Sequence, residues 1–313
     1  MKCLCFLLLF GLCAGVEGNA ETLPCSVPGD ASSFFELKTI RLWPGDAPQA
    51  RGTACADIPT LTDFEPQGGI GNGSAVVVLP GGAYAYLVGN LEGRQVADWF
   101  TALGFHAFVL QYRLSSQGYI LPVPLLDARR ALQLVRAHAQ EYRIQPNRIV
   151  VIGFSAGGHL AALSATLPVP GDPEATDPID RVSSRPDYLV LGYPWIGAVS
   201  TDTSHLSYCK MFNLMDRCDA LRAKYSPDLQ VTKDTPPTFW YHTADDQTVP
   251  VDQGLRFFEA LLKAGVPAEA HVFRHGPHGS GTGNGDPALD QWPNLLENWL
   301  RAQGLLAKDA AQP

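Results

Sequence analysis

The chain has 313 residues, 46% hydrophobic and 17% charged, with a formal net charge of −8. That length and composition suit one large folded core better than two small ones. The acidic balance excludes a nucleic acid or an anionic membrane surface as partner, because no basic stripe is present to replace phosphate counterions.

Residues 1–20 read as a signal peptide. Lys2 supplies the positive end, Cys3 to Ala14 is an apolar run broken only by Gly11, and Gly18 and Ala20 fit the −3 and −1 positions of a cleavage site. Cleavage after Gly15 or Gly18 also fits. The run is too short to span a bilayer comfortably, and no other stretch is long and apolar enough for a membrane helix. Leu12 ahead of Cys13 does not suit a lipoprotein cysteine. The expected location is therefore secreted or periplasmic. Removing Cys3, Cys5 and Cys13 from the seven cysteines leaves Cys25, Cys55, Cys209 and Cys218. An even number in an oxidising compartment suggests two disulfides. Three pairings are open, and sequence proximity favours Cys25–Cys55 with Cys209–Cys218. Four free buried thiols are the alternative. No CxxC pair and no paired histidines accompany them, so no metal site is expected.

Residues 21 to about 70 read as an irregular arm with one strand, Thr39–Trp43. Alternation then begins. Short apolar runs bounded by Gly or Pro predict buried strands at Ala75–Leu79, Phe105–Leu110, Ile149–Ile152, Tyr188–Leu191, Thr238–Tyr241 and Ala270–Phe273. Helical patterns lie between them at Arg94–Leu103, Leu125–Tyr142, Ala156–Leu167, Gly254–Ala264 and Trp292–Leu300. Strand alternating with helix predicts a mostly parallel twisted sheet with helices on both faces. Pro168–Pro186 is turn-rich. Ile196–Pro237 is long and mixed, and reads either as a small cap over the site or as a plain surface insertion. Asp127, Arg129 and Arg130 read as structural charges on a helix face, and Asn72-Gly73-Ser74 fits a glycosylation sequon.

Gly153-Phe154-Ser155-Ala156-Gly157 fits G-x-S-x-G, with a strand just before and a helix just after. That context is a sharp strand-to-helix turn that exposes a strained serine, the nucleophile elbow of the α/β-hydrolase fold. It makes residues 21–313 one such domain, with the cap insertion at about 196–237. Serine is a weak nucleophile and needs a base, which in turn needs an orienting acid. In this fold the chain order is Ser, then acid, then His. The strand Thr238–Tyr241 leads to Asp245 and Asp246, and Ala270–Phe273 leads to His275 and His278. Asp246 is favoured by the spacing D-x-x-V-P, and His278 by the glycine that follows it. Asp245 then is a solvated or hydrogen-bonded loop residue and His275 a surface or supporting histidine. His242, His271, His205, His159, His138 and His106 read as structural or exposed. Pro80-Gly81-Gly82-Ala83-Tyr84 closes the first core strand, and its glycines leave N–H groups uncovered. Gly82, Ala83 and Ala156 are the candidate oxyanion donors. Tyr84 and Tyr86 line an acyl or sugar subsite, or are ordinary packing aromatics.

PGGAY at 80–84, DARRAL at 127–132, GFSAGGHL at 153–160, TPPTFWYHTADDQTVPV at 235–251 and HGPHG at 275–279 together resemble the carbohydrate-esterase branch of the α/β-hydrolases. These are the acetyl xylan esterase-like proteins, also labelled lipase/esterase or dienelactone-hydrolase-like. The resemblance runs from about Ile40 to Leu300. It implies a serine esterase acting on acetyl or other small esters of carbohydrate, feruloyl esters included, with no metal or organic cofactor and an ester substrate as its partner. Pro80 stands where lipase-type relatives have His, Ala83 where many have Gly, and His275, the glycine tail Gly279–Gly285 and the Cys209–Cys218 insertion are further departures. Two other readings stand beside it. One is a prolyl-oligopeptidase-type exopeptidase, which shares the TADD-like loop but is expected to carry a gating domain ahead of this region. The other is a binding protein on an inactive hydrolase scaffold.

Overall fold

The short apolar runs become strands that bury both of their faces. In the computed structural model, which describes residues 37–197, 218–283 and 285–306, these are β1 (Thr39–Arg41), β2 (Thr60–Phe64), β3 (Ala75–Leu79), β4 (His106–Gln111), β5 (Ile149–Phe154), β6 (Tyr188–Gly192), β7 (Thr238–Thr243) and β8 (Ala268–Phe273). They form one sheet in the order β1-β2-β4-β3-β5-β6-β7-β8. β3 to β8 run parallel, while β1 and β2 are antiparallel additions at one edge.

The helices among the described residues are α1 (Gln95–Ala102), α2 (Val123–Ala137), α3 (Ser155–Thr166), α4 (Cys218–Tyr225), α5 (Asp252–Lys263) and α6 (Trp292–Ala302). Successive strand residues point to opposite faces. Val76, Val78, Val109, Val150 and Ile152 therefore pack with α1 and α6, through Phe100, Trp292 and Leu296. Val77, Leu79, Leu110 and Val151 pack with α2, α3 and α5, through Leu132, Leu160 and Leu261. Each such side chain contributes about 1.5–3 kcal/mol on burial, so the two layers hold the sheet from both sides.

β2 corrects the reading of residues 21–70 as an arm with a single strand. Its sequence, TLTDF, places polar residues where a buried strand would be apolar, yet every position is buried. The polar atoms are satisfied across the sheet, with His106 Nε2 2.6 Å from Asp63 Oδ1. The helix expected to reach Tyr142 ends at Ala137, and residues 138–142 continue as turns. Most of the expected cap, residues 198–217, lies outside the described residues, as do the signal segment, Cys25 and Cys209. Among the described residues no helix is long and apolar enough to cross a membrane.

Two features anchor the periphery. Asn72 Nδ2 donates to Leu103 O at 2.9 Å and Asn72 N to Gly104 O at 2.8 Å, so this side chain caps the C-terminus of α1. Ser74, the third residue of that sequon, is fully buried. Asp127 on α2 and Arg113 after β4 form a buried ion pair, with Nη2 2.6 Å from Oδ1 and Nε 3.0 Å from Oδ2. Arg113 Nη1 also donates to Pro48 O at 2.7 Å, which ties the N-terminal arm to the sheet. Arg130 reaches Asp180 at 2.9 Å, so the charges of this helix face are structural as the sequence suggested.

Removing one member of a buried pair leaves the other charged and unpaired. Arg113→Met is expected to destabilise the protein by about 3–5 kcal/mol in urea unfolding, and adding Asp127→Leu to recover most of that loss.

Candidate active site

β3 and β5 lie side by side in register, Leu79 opposite Gly153. The chain turns outward in opposite directions from this pair, to β4 on one side and β6 on the other. Such a switch point opens a crevice at the carboxyl ends of the strands. The loop after β3, residues 80–84, and the turn from β5 into α3 meet there.

Backbone contact shapes this crevice. A Cβ on Gly157 would lie 2.1 Å from Leu79 O and 2.5 Å from Pro80 O. A Cβ on Gly81 would lie 3.0 Å from Ser155 Cβ. Only glycine fits at either position, so the loop after β3 rests directly against the turn. Ser155 takes φ +51°, a left-handed conformation that costs a non-glycine residue about 1–2 kcal/mol. That strain sits on the one residue whose hydroxyl the turn presents.

The structure brings the three candidates together. His278 Nε2 is 2.8 Å from Ser155 Oγ, and His278 Nδ1 is 2.7 Å from Asp246 Oδ2. Asp246 Oδ1 accepts the N–H groups of Thr248 at 2.8 Å and Val249 at 2.9 Å. Burial pushes the Asp246 carboxyl up, but hydrogen bonds from His242, His278 and the Val249 amide outweigh it and hold the group below the usual carboxylate range. Asp246 is thus an anion that fixes the imidazole with Nδ1–H toward itself and Nε2 toward serine. The two rival candidates pair with each other instead. His275 Nδ1 is 2.8 Å from Asp245 Oδ2 on the exposed rim.

Gly82, Ala83 and Tyr84 have φ of +122°, +56° and +59° in succession. The loop is closed by Tyr86 N–H on Gly82 O at 3.1 Å and by Tyr112 O–H on Pro80 O at 2.7 Å. The N–H groups of Gly82 and Ala83 have no acceptor among the described residues. Ala156 sits in the first turn of α3, where N–H groups lack intrahelical partners and the helix dipole favours negative charge. The three candidate donors therefore lie on the two segments that flank Ser155.

Two contributors, His242 and Glu92, were not legible as site residues. His242, read as structural or exposed, is fully buried and puts Nε2 2.9 Å from Val249 O and 3.2 Å from Asp246 Oδ2. Glu92 is 2% exposed, and its carboxylate accepts Gly81 N–H at 2.7 Å and Tyr193 O–H at 2.8 Å. Burial raises its pKa even against those two bonds. No local signal marks Glu92, because a glutamate in LEGRQ reads as a solvated helix residue. Tyr84 is a brace and not a wall of the site: its hydroxyl is 2.8 Å from His159 Nδ1, and His159 Nε2 is 2.8 Å from Tyr225 O. Tyr86 is 52% exposed beside the same loop. Among the described residues no group of three or more His, Cys, Asp or Glu is placed to hold a metal ion.

Comparison with known proteins adds lineage to this geometry. Residues 64–175 match the family described as BD-FAE, and residues 197–302 match the prolyl oligopeptidase family. An acetylxylan esterase of Xylanibacter ruminicola is 32% identical over 243 residues, covering 76% of this chain and 48% of its own length. Endo-1,4-beta-xylanase B of Butyrivibrio fibrisolvens is 31% identical over 236 residues, covering 73% of this chain and 36% of its own length. The chain therefore spans about half, or less, of the length of these curated relatives. The crystal structure of an acetyl ester-xyloside bifunctional hydrolase from Caldicellulosiruptor lactoaceticus is 38% identical with a TM-score of 0.79, over 86% of this chain and 97% of that one.

The brace at His159 makes a pH prediction. Burial lowers its pKa from 6.5 to about 4, so the folded protein holds it neutral, with Nε2–H donating to Tyr225 O and Nδ1 accepting from Tyr84. The unfolded chain takes up this proton near the ordinary histidine value and the folded chain only near the lower one. Stability from this group is therefore complete above the ordinary value and is lost as pH falls toward about 4. A shift of this size corresponds to roughly 3 kcal/mol. Urea midpoints measured across that range are expected to fall with pH, and to fall less steeply in His159→Gln.

Proposed function

Because the chain belongs to the acetyl xylan esterase-like branch of the α/β-hydrolases, we propose that it hydrolyses short acyl esters, acetyl above all, on carbohydrates such as acetylated xylan. The observation that carries the reading is the unbroken path Ser155 Oγ–His278 Nε2 and His278 Nδ1–Asp246, at 2.8 and 2.7 Å, beside the Gly82–Ala83 loop.

In this scheme His278 removes the Ser155 proton as Oγ attacks the ester carbonyl. Asp246 holds the ring and stabilises the imidazolium that forms. The tetrahedral oxyanion is met by the N–H groups of Gly82, Ala83 and Ala156, each such donor lowering the barrier by about 3–4 kcal/mol. As the intermediate collapses, the imidazolium of His278 gives its proton to the departing sugar oxygen, which leaves as a hydroxyl. Water activated by the same imidazole then frees the acyl group and restores Ser155.

The xylan-linked relatives support a sugar ester as substrate. Tyr86, half exposed beside the oxyanion loop, supplies a flat apolar face against which a sugar ring can stack. Export belongs to the same proposal. The segment 1–20 carries signal-peptide chemistry, and Cys55 is disulfide-bonded, which suits an oxidising compartment. Cys25–Cys55 remains the pairing that sequence proximity favours. The match of residues 197–302 to the prolyl oligopeptidase family favours a second reading, an exopeptidase using the same three side chains.

The test is acetate release from acetylated xylan, set beside acetylated pectin, feruloyl esters, p-nitrophenyl acetate and a peptide p-nitroanilide. Acetylated xylan and p-nitrophenyl acetate are expected to turn over, and Ser155→Ala to lower kcat by about 10⁴-fold or more. Tyr86→Ala is expected to raise KM for acetylated xylo-oligosaccharides several-fold and leave p-nitrophenyl acetate within twofold. Cleavage of the peptide substrate without acetate release overturns the esterase reading. Full activity in Ser155→Ala overturns the mechanism.

A further inference from the structure

Glu92 lies where the loops of the site meet, yet it takes no part in the proton path described above. It comes from the π-helical turn Gly89–Arg94, which leads into α1. Such turns are rare and concentrate at functional sites. Oε2 accepts Gly81 N–H at 2.7 Å, from the loop after β3. Oε1 accepts Tyr193 O–H at 2.8 Å, from the residue after β6, whose own φ is +35°. The Tyr193 hydroxyl in turn accepts Gly281 N–H at 3.0 Å. Gly281 follows His278 by three residues, and its carbonyl accepts Tyr241 O–H at 3.0 Å and Trp292 Nε1–H at 3.1 Å. The Tyr193 ring meets the His278 imidazole edge-on at 5.0 Å between centroids.

A carboxyl group buried this deeply is costly and persists only where both oxygens are used. Here two donors, a backbone amide and a phenol, converge on one residue. A carboxylate serves both. Glutamine offers one acceptor oxygen and would turn its amide N–H toward the second donor, and leucine serves neither. We propose that Glu92 is a positioning residue that fixes the oxyanion loop and the histidine loop relative to each other, through Gly81 on one side and Tyr193–Gly281 on the other. It rests on the reading of Ser155, His278 and the loop amides as catalytic, because it acts only through them. The chain of bonds holds the N–H donors and the imidazole at one separation, and an error of about 1 Å in such a separation costs about 100-fold in rate.

The experiment is steady-state kinetics on p-nitrophenyl acetate for Glu92→Leu, Glu92→Gln, Tyr193→Phe and the double variant Glu92→Gln/Tyr193→Phe, each checked for folding by a thermal melt. Interactions that matter only as the oxyanion forms lower kcat and leave KM in place. Glu92→Leu is expected to lower kcat about 100-fold with KM within twofold. Glu92→Gln is expected to restore about tenfold of that loss, because one acceptor returns. Tyr193→Phe keeps the ring and removes only the hydroxyl, so it carries the test if Glu92→Leu does not fold. The double variant is expected to be no slower than the slower of its two single variants, since both interrupt one chain of bonds. A kcat within threefold of the parent in the folded Glu92 and Tyr193 variants overturns the proposal. So does a double variant whose losses multiply, or a rise in KM at constant kcat. Any of these outcomes beside an inactive Ser155→Ala removes only the positioning role, whereas full activity in Ser155→Ala removes the reading beneath it.

Discussion

The site depends on a contact in which no side chain is allowed. The backbone leaving β3 lies against the first turn of α3, with Leu79 O and Pro80 O where a side chain on Gly157 would stand. Gly81 lies against Ser155 in the same way. These approaches place candidate donors on two separate segments around one hydroxyl. They also force the backbone into costly conformations. Ser155, Ala83, Tyr84 and Tyr193 all have positive φ, each at order 1–3 kcal/mol. The surroundings offset that strain. Trp195 N–H reaches Ser155 O at 3.0 Å, Tyr112 holds Pro80 O, Tyr84 is held by His159, and Glu92 holds Gly81.

Asp246 shows how an anion is kept ionised inside such a shell. One oxygen meets two backbone amides and the other two imidazoles, and together these outweigh the burial that would otherwise protonate it. Asp245, its sequence neighbour, lies on the exposed rim and faces His275. There the hydrogen bond from that histidine is what lowers its pKa. Adjacent carboxylates thus differ in what surrounds them and not in their own chemistry.

What was legible in the sequence was local. The pentapeptide Gly153–Gly157 carries its own reason, since the two glycines, the serine and the flanking strand and helix are contiguous. The loops holding Asp246 and His278 could be placed because each directly follows an apolar run. The rest depends on partners distant in the chain. β2 is held by Asp63 against His106, 43 positions away, and its polar residues hide it from any apolar pattern. Glu92 joins Gly81, 11 residues before it, to Tyr193, 101 residues after it, so nothing near position 92 marks it. His242 was read as structural or exposed, just past the expected strand, and its bond to Asp246 required the fold of the following loop.

The turn at Asn72 bears on how the protein is made. Its side-chain nitrogen is the very atom to which an N-linked sugar would be joined, and in the folded chain that atom closes the end of α1 on Leu103 O. A glycan attached there displaces that bond, and the sequon's own Ser74 is sealed from solvent. Material from a yeast or insect-cell secretory route would then differ from bacterial material at the seam between α1 and the sheet, far in sequence from Ser155. Replacing the sequon serine is no simple remedy, since Arg148 Nε donates to its hydroxyl at 2.9 Å.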